Sequence, residues 1–329
     1  MSFYDFIKVR GMMKKIKIAF LINPVSGGRQ GVKIHAQLLR ALKKFSLSPD
    51  QFQIVFTEKG EAASQAQRLA RETEILVAVG GDGTAIETIT GAYRSGCLPG
   101  IGLIPIGTGN DLARSVHLYE LFKKEGVEGC VRQLLHGTYA PLDIWQVNKK
   151  ELMTNYLSIG LDAAIIHSFH WQRTKFPFHS ALGNRVAFAG IGLSCLAHRL
   201  QGKVDVTCWS DAEKKALSLH GHRLVIISNI PFYAGGTMLA PGASFCDGVL
   251  EVTPFGNVIS SLGLFVFQPC LRLRTWYGNK LEHFQAKRVE IEVPEGNFLQ
   301  IDGEDKTHLL QEKKVEIEYS GQISLLKEN

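Results

Sequence analysis

The chain has 329 residues, 45% hydrophobic and 21% charged, so it can bury a full core, which excludes disordered and collagen-like architectures. Its net charge is +6 with no block of like charges to concentrate it, so nucleic acid is not implied as a partner. The six cysteines are scattered, with no CxxC and no zinc spacing, which predicts reduced thiols in a cytosolic protein.

In chain order, Met1–Lys15 carries four basic residues but no apolar h-region, so it does not read as a secretory signal. Ile16–Ile22 is a β-branched apolar run that ends at Asn23-Pro24. A helix is predicted over Val32–Phe45, a strand over Phe52–Phe56, and a helix over Ala62–Arg71 with Ala63, Ala66 and Ala70 on one face. Ile75–Val79 is a continuous apolar strand closed by Gly80-Gly81, Thr84–Tyr93 a helix, and Ile101–Ile106 a further strand closed by Gly107. Continuous apolar strands interleaved with amphipathic helices predict a doubly wound parallel-sheet α/β domain covered on both faces.

The pattern changes near Tyr139. Strand-like segments then follow one another at Leu142–Val147, Leu152–Ile159, Val204–Trp209, Leu224–Ser228, Leu250–Thr253, Val289–Val293, Phe298–Ile301 and Val315–Tyr319. One helical stretch, about Ala181–Leu200, interrupts them. The second domain is therefore predicted to be mostly antiparallel β, a sandwich or open barrel. The boundaries expected are 13–138, completed by 313–329, for the α/β domain, and 139–312 for the β-rich one. The longest apolar runs, Val186–Ala197 and Val258–Phe267, fall short of the roughly 18–20 residues that span a bilayer.

Ligands of open parallel sheets bind past the carboxyl ends of the strands. The ends here carry Asn23-Pro24-Val25-Ser26-Gly27-Gly28, then Thr57-Glu58-Lys59-Gly60, then Gly80-Gly81-Asp82-Gly83-Thr84, then Gly107-Thr108-Gly109-Asn110-Asp111. Glycine lets backbone N–H groups approach a phosphate, and a helix N-terminus adds positive potential. Asp82 would repel that phosphate unless a divalent cation lay between them, so the loops read as a site for nucleotide phosphate with Mg²⁺. The alternative is that Asp82 caps a helix. The chain lacks GxxxxGK[ST] and GxGxxG, so neither a P-loop nor a Rossmann dinucleotide site is expected.

Taken in order and spacing, these blocks resemble the diacylglycerol kinase catalytic-domain family, which includes soluble bacterial lipid kinases and the sphingosine and ceramide kinases. The resemblance covers nearly the whole chain. It implies that Asn23, Pro24, Ser26, Gly27, Gly28, Thr57, Gly81, Asp82, Gly83, Thr84, Glu87, Gly107, Thr108 and Asn110 hold ATP. It further implies that Asp82 organises catalytic Mg²⁺, with Asp111 in the same acidic network and Asp143 facing the site. Ile301-Asp302-Gly303-Glu304 resembles the signature that supplies the general base, with Glu304 favoured and Asp302 as runner-up or partner. Read from residues alone, Asp-Gly is also a common hairpin turn. Pro241–Val249 resembles a structural Mg²⁺ loop, with Ser244, Asp247 and Val249 as ligands, and is otherwise a turn.

The chain departs from the family pattern at Ile86, where the family has Asn. Phe169–Leu182, with Trp171, Arg173, Lys175, Phe176, Phe178 and His179, suits docking on a lipid surface or packing on the β domain. The resulting expectation is a cytoplasmic, peripherally membrane-associated, ATP- and Mg²⁺-dependent lipid kinase. The alternatives are an NAD kinase-like phosphotransferase and a non-catalytic lipid- or nucleotide-binding protein.

Overall fold

The computed structural model describes residues 18–175, 199–211, 213–256 and 281–328, with side chains of the helix at 169–175 excepted. Residues 181–198 of the helix expected at Ala181–Leu200, residues 176–182 of the 169–182 segment and the Val258–Phe267 run lie outside the described residues, while Arg199 and Leu200 are not helical. The chain forms two compact units. One runs to Leu142 and resumes at Gln322, and the other spans Asp143–Gly321.

The first unit alternates β1 (Ile18–Ile22), α1 (Gly31–Lys44), β2 (Phe52–Phe56), α2 (Ala62–Leu69), β3 (Ile75–Gly80), α3 (Asp82–Ser95) and β4 (Gly100–Pro105), followed by α4 (Asp111–Ser115) and α5 (Leu118–His136). Strands β2, β1, β3 and β4 lie side by side and are parallel throughout. The final stretch of a long strand, β18 (Lys314–Lys327), pairs parallel to β4 through Leu325 and Ile101. Every residue of β1, β3 and β4 is buried, as a sheet covered on both faces requires.

Helices cover these faces through small or aliphatic stripes. On α1 the buried Ile34, Leu38, Ala41 and Leu42 recur at helical spacing. Between α2 and α3 the approach is close enough that a Cβ at Gly91 would lie 2.2 Å from the Ala63 carbonyl oxygen and 2.7 Å from Ala66 Cβ. Helix α5 has no counterpart in the sequence-based elements. Gly126 leaves helical conformation (φ 64, ψ −153) midway along it, so the apolar periodicity changes phase there.

Among its described residues the second unit holds two larger antiparallel sheets and one short hairpin. In one, β15 (Arg288–Glu292) lies between the start of β18 and β8 (Asp205–Trp209), which pairs with β9 (Lys214–Ser218). The end of β5 (Thr138–Val147) pairs with β6 (Glu151–Met153). The other sheet runs β14 (Phe284–Ala286), β13 (Leu250–Phe255), β10 (Leu224–Ser228), β7 (Tyr156–Gly160), β16 (Leu299–Ile301) and β17 (Glu304–Asp305).

Alternate residues fill one shared core between the sheets, among them Val206 and Cys208, Val289 and Ile291, Leu157 and Ile159, Val225 and Ile227. The outer face of the second sheet is covered by helix α6 (Leu161–Lys175), through Leu161 and Ile165 packed with Leu224, Ile226 and Phe255. Tyr233, in the short hairpin of β11 (Phe232–Tyr233) and β12 (Thr237–Met238), joins that layer. The architecture is thus the doubly wound parallel α/β domain and the antiparallel sandwich that the residue pattern predicts. The run read as one strand over Leu152–Ile159 is two strands, because Thr154, Asn155 and Tyr156 turn their N–H groups to a carboxylate far along the chain.

Candidate active site

Four loops meet the carboxyl edge of the parallel sheet in the strand order β2, β1, β3, β4. Thr57 follows β2 and donates its N–H to the Ile22 carbonyl at the end of β1 (2.8 Å). Asn23 follows β1. Its Oδ1 accepts the Val25 N–H (3.1 Å) and its Nδ2 donates to Thr84 Oγ1 (3.0 Å), tying the first loop to the third. Gly27 and Gly28 adopt left-handed conformations (φ 59 and 72), which reverse the chain before α1. Gly27 also packs so closely that a Cβ would lie 2.2 Å from the Ile106 carbonyl oxygen.

The third and fourth loops touch. A Cβ on Gly107 would sit 2.3 Å from Gly81 Cα, so only glycine permits this approach. Asn110, buried and left-handed (φ 58), locks the fourth loop by accepting the Gly107 N–H (3.1 Å) and donating to its carbonyl (2.8 Å). Arg114 supports it from below, with Nε donating to the Gly109 carbonyl (3.1 Å) and its guanidinium stacked 3.7 Å over Tyr119. By contrast, among the described residues no atom beyond the chain neighbours and the local helix backbone lies within 4 Å of where a Cβ on Gly83 or Gly28 would be. The cradle is closed beneath by Gly81 and Gly107 and open over Gly83.

Asp82 opens α3, and its Oδ1 accepts the Leu112 N–H (3.3 Å) near the start of α4. It therefore caps a helix, though not its own. Burial pushes its carboxyl above the ordinary aspartate range, opposed by the amides of residues 110–112 and by the Arg114 charge. Asp111 is buried in the first turn of α4, and Glu87 is part-buried on α3. Thr108 is exposed at the loop tip and Ser26 lies near Gly81. Ile86, the departure from the family pattern, is part-buried on α3.

The second unit carries the remaining residues. Asp302-Gly303 is the two-residue turn of the β16–β17 hairpin, with both residues left-handed (φ 52 and 86) and Ile301 opposite Glu304. The Asp302 carboxylate is buried and occupied. It accepts the N–H groups of Thr154, Asn155 and Tyr156, each at 2.9 Å, and the Thr154 hydroxyl at 3.2 Å. Burial raises its pKa to about 6 against the pull of those donors. Glu304 is exposed, with Lys306 Nζ 3.4 Å from its Oε2 and 3.3 Å from Glu151 Oε2. Asp305, on the opposite side of the strand, faces His167 Nδ1 at 2.6 Å.

Asp143 is fully buried. Its Oδ2 accepts the Gly248 N–H (2.7 Å) and its own N–H donates to the Phe245 carbonyl (2.8 Å). It thus anchors the 241–249 loop, a link that the sequence does not announce because about a hundred residues separate the partners. In that loop Asp247 Oδ1 accepts the Val249 N–H (3.0 Å) and Ser244 Oγ faces Cys246 Sγ (3.4 Å). Among the described residues no three His, Cys, Asp or Glu side chains converge as a metal cage. Sequence reading also missed Arg114, Gln300, Ser158, Asp162 and Lys306. Polar residues inside otherwise apolar runs, as at Ser158, are the signal that could have found some of them.

Residues 17–147 match the model of the diacylglycerol kinase catalytic domain, and residues 152–305 that of the diacylglycerol kinase accessory domain. Among curated proteins, Probable diacylglycerol kinase 3 of Caenorhabditis elegans is 32% identical over 253 residues, covering 67% of this chain and 30% of that protein. Diacylglycerol kinase iota of Homo sapiens is 30% identical over 257 residues, covering 69% of this chain and 23% of that protein. The chain therefore spans less than a third of the length of these relatives. A crystal structure of a diacylglycerol kinase from Bacillus anthracis str. Sterne superposes with a TM-score of 0.65 at 20% identity, covering 96% of this chain and 98% of that one. That likeness is one of fold.

Proposed function

The chain belongs to the diacylglycerol kinase family, and on that premise we propose that it is an ATP-dependent lipid kinase. It transfers the γ-phosphoryl group of ATP to a hydroxyl of a diacylglycerol-like membrane lipid, with Mg²⁺. The observation that carries the reading is the glycine cradle, closed by the Gly81–Gly107 approach and open over Gly83 at the N-terminus of α3. Backbone N–H groups there and the helix dipole suit a polyphosphate.

The donor set fits Mg²⁺ bound together with phosphate rather than alone. Asp82 offers hard oxygen, and Mg²⁺ ordinarily completes its octahedron with substrate phosphates and water. When bound, the ion neutralises charge on the transferring group. The chain's residues do the rest. Asn23, Pro24, Ser26, Gly27, Gly28, Thr57, Thr84, Glu87, Gly107, Thr108 and Asn110 surround the nucleotide, and Asp82, with Asp111 behind it, holds the cation. The acceptor oxygen bonds to the γ-phosphorus, the bond to the β–γ bridging oxygen breaks, ADP leaves, and the hydroxyl proton passes to Glu304. Glu304 is the proposed base because it is exposed, whereas four donors occupy Asp302, which holds the turn. A second Mg²⁺ is proposed at Ser244, Asp247 and Val249, in the loop that Asp143 anchors.

No described helix is long and apolar enough to cross a membrane, and we propose that the protein meets its lipid peripherally from the cytoplasmic side. Asp82→Ala tests the reading. Phosphoryl transfer to lipid should be lost while the circular dichroism and melting of the second unit persist. Undiminished transfer would overturn the role of Asp82.

A further inference from the structure

The outer face of the second sheet holds a polar cluster within an apolar layer. On β7, Leu157 and Ile159 point into the sandwich core, so Ser158 points to the α6 side. On β16, Leu299 and Ile301 do the same, so Gln300, paired directly with Ser158, points there too. Their neighbours on that side are Leu161, Ile165, Ile226 and Tyr233. Ser158 and Gln300 are fully buried, and so nearly is Asp162 in the first turn of α6 (3% exposed). An acid, an amide and a hydroxyl in such a layer are costly unless every donor and acceptor is matched.

They are matched in a single direction. Ser158 Oγ donates to Asp162 Oδ2 (2.5 Å), and the Tyr233 hydroxyl hydrogen-bonds the same carboxylate. Gln300 Nε2 donates to Ser158 Oγ (3.0 Å) and Asp162 Oδ2 (3.2 Å). Burial raises the Asp162 carboxyl above the ordinary aspartate range against those donors, and its Oδ2, which accepts from the Ser158 hydroxyl, is the atom that the NH₂ end of the Gln300 amide faces. The amide oxygen is thereby turned the other way, where it accepts the Gly303 N–H at 2.7 Å. Gly303 is the second residue of the turn that presents Glu304.

We infer that Asp162, with Ser158 and Tyr233, fixes the orientation of the Gln300 amide and through it positions the Asp302–Glu304 turn. These are positioning residues, not catalytic ones. The catalytic part of the inference rests on Glu304 being the proton acceptor, whereas the structural part, control of the Gly303 amide by Asp162, does not. The turn is then held from two sides, by Asp302 on the 154–156 amides and by Gln300 on Gly303.

The test uses the full chain with ¹⁵N-labelled glycine, and reads Gly303 amide exchange together with steady-state kinetics. Asp162→Leu removes the acceptor that the Gln300 NH₂ group faces, so the Gly303 amide should lose protection. The kcat should fall between about ten- and a hundredfold, with KM for ATP within about twofold. Asp162→Asn is the conservative contrast. Its amide oxygen can take the place of Oδ2 and accept from Ser158 and Gln300, so protection and kcat should both be kept. Gln300→Met, which keeps chain length and removes the bonds to Asp162, Ser158 and Gly303, should reproduce the loss if Asp162→Leu folds poorly.

Unchanged Gly303 protection in Asp162→Leu or Gln300→Met would overturn the inference, as would loss of protection and turnover in a folded Asp162→Asn variant. Full turnover in Glu304→Gln would instead sink the assignment of the base, and leave the effect of Asp162 on Gly303 to stand or fall on exchange alone.

Discussion

Adding one methyl group at Gly83 should move fold stability and nucleotide affinity in opposite directions. Gly83 lies in the first turn of α3, and among the described residues nothing beyond its own helix stands within 4 Å of the added Cβ. Relieving the helix cost of glycine stabilises by about 0.5 to 1 kcal/mol, the lower end applying in a first turn. The same Cβ occupies the space in which a phosphate would meet the backbone, so ATP should bind at least about tenfold more weakly, a loss of about 1.4 kcal/mol. Gly107→Ala is the contrast. Its Cβ would lie 2.3 Å from Gly81 Cα and 3.1 Å from Gly81 N, both backbone atoms that cannot rotate aside. The two loops must part, at a cost of about 1 to 3 kcal/mol. Thermal melts and calorimetric ATP titration separate the cases. Gly83→Ala should melt no lower than the parent yet bind poorly, whereas Gly107→Ala should lose both. Parental ATP affinity in a folded Gly83→Ala variant would refute the claim that phosphate lies over this turn.

Glu304→Gln should lower kcat by about 10²- to 10⁴-fold with little change in melting temperature, because the side chain is exposed; turnover assays and melts run together check it. Asp302 has a folded pKa of about 6 against an ordinary value of 3.8. The folded state therefore holds its proton more tightly than the unfolded one, and its stabilising contribution is complete below about pH 4. That contribution declines as pH rises through 6, by about 3 kcal/mol in all. Urea unfolding between pH 4 and 7 should show this slope in the parent and a flatter one in Asp302→Asn. If the 241–249 loop holds Mg²⁺, millimolar Mg²⁺ should raise the parent's melting temperature more than that of Asp247→Ala; equal shifts would remove the metal from that loop.

The parallel half of the fold is legible because burial on both faces leaves continuous apolar strands, and the strand-end glycines mark where backbone must approach backbone. Gly81 and Gly107 are legible for the same reason that they are needed. The second unit is less so. In sequence, Asp302 reads as a turn residue or as the runner-up base, and its three amide partners, nearly 150 residues upstream, are not legible there. The Ser158–Asp162–Gln300 cluster is invisible for the same reason, since Gln300 lies 142 residues from Ser158. Helix α5 is obscured by Gly126, which breaks its periodicity. The anchoring of the 241–249 loop by Asp143, through Gly248 and Phe245, is a further link that the sequence does not show.

Transfer of phosphate from ATP to a lipid hydroxyl is the central claim. The most direct test is incubation with γ-labelled ATP and Mg²⁺ over a panel of micellar lipids, with NAD and a lipid-free mixture alongside. Label should enter the organic phase with a diacylglycerol-like acceptor, and should be lost in Glu304→Gln. Label in NAD without any lipid present, or ATP bound by folded protein with no lipid labelled, would contradict it.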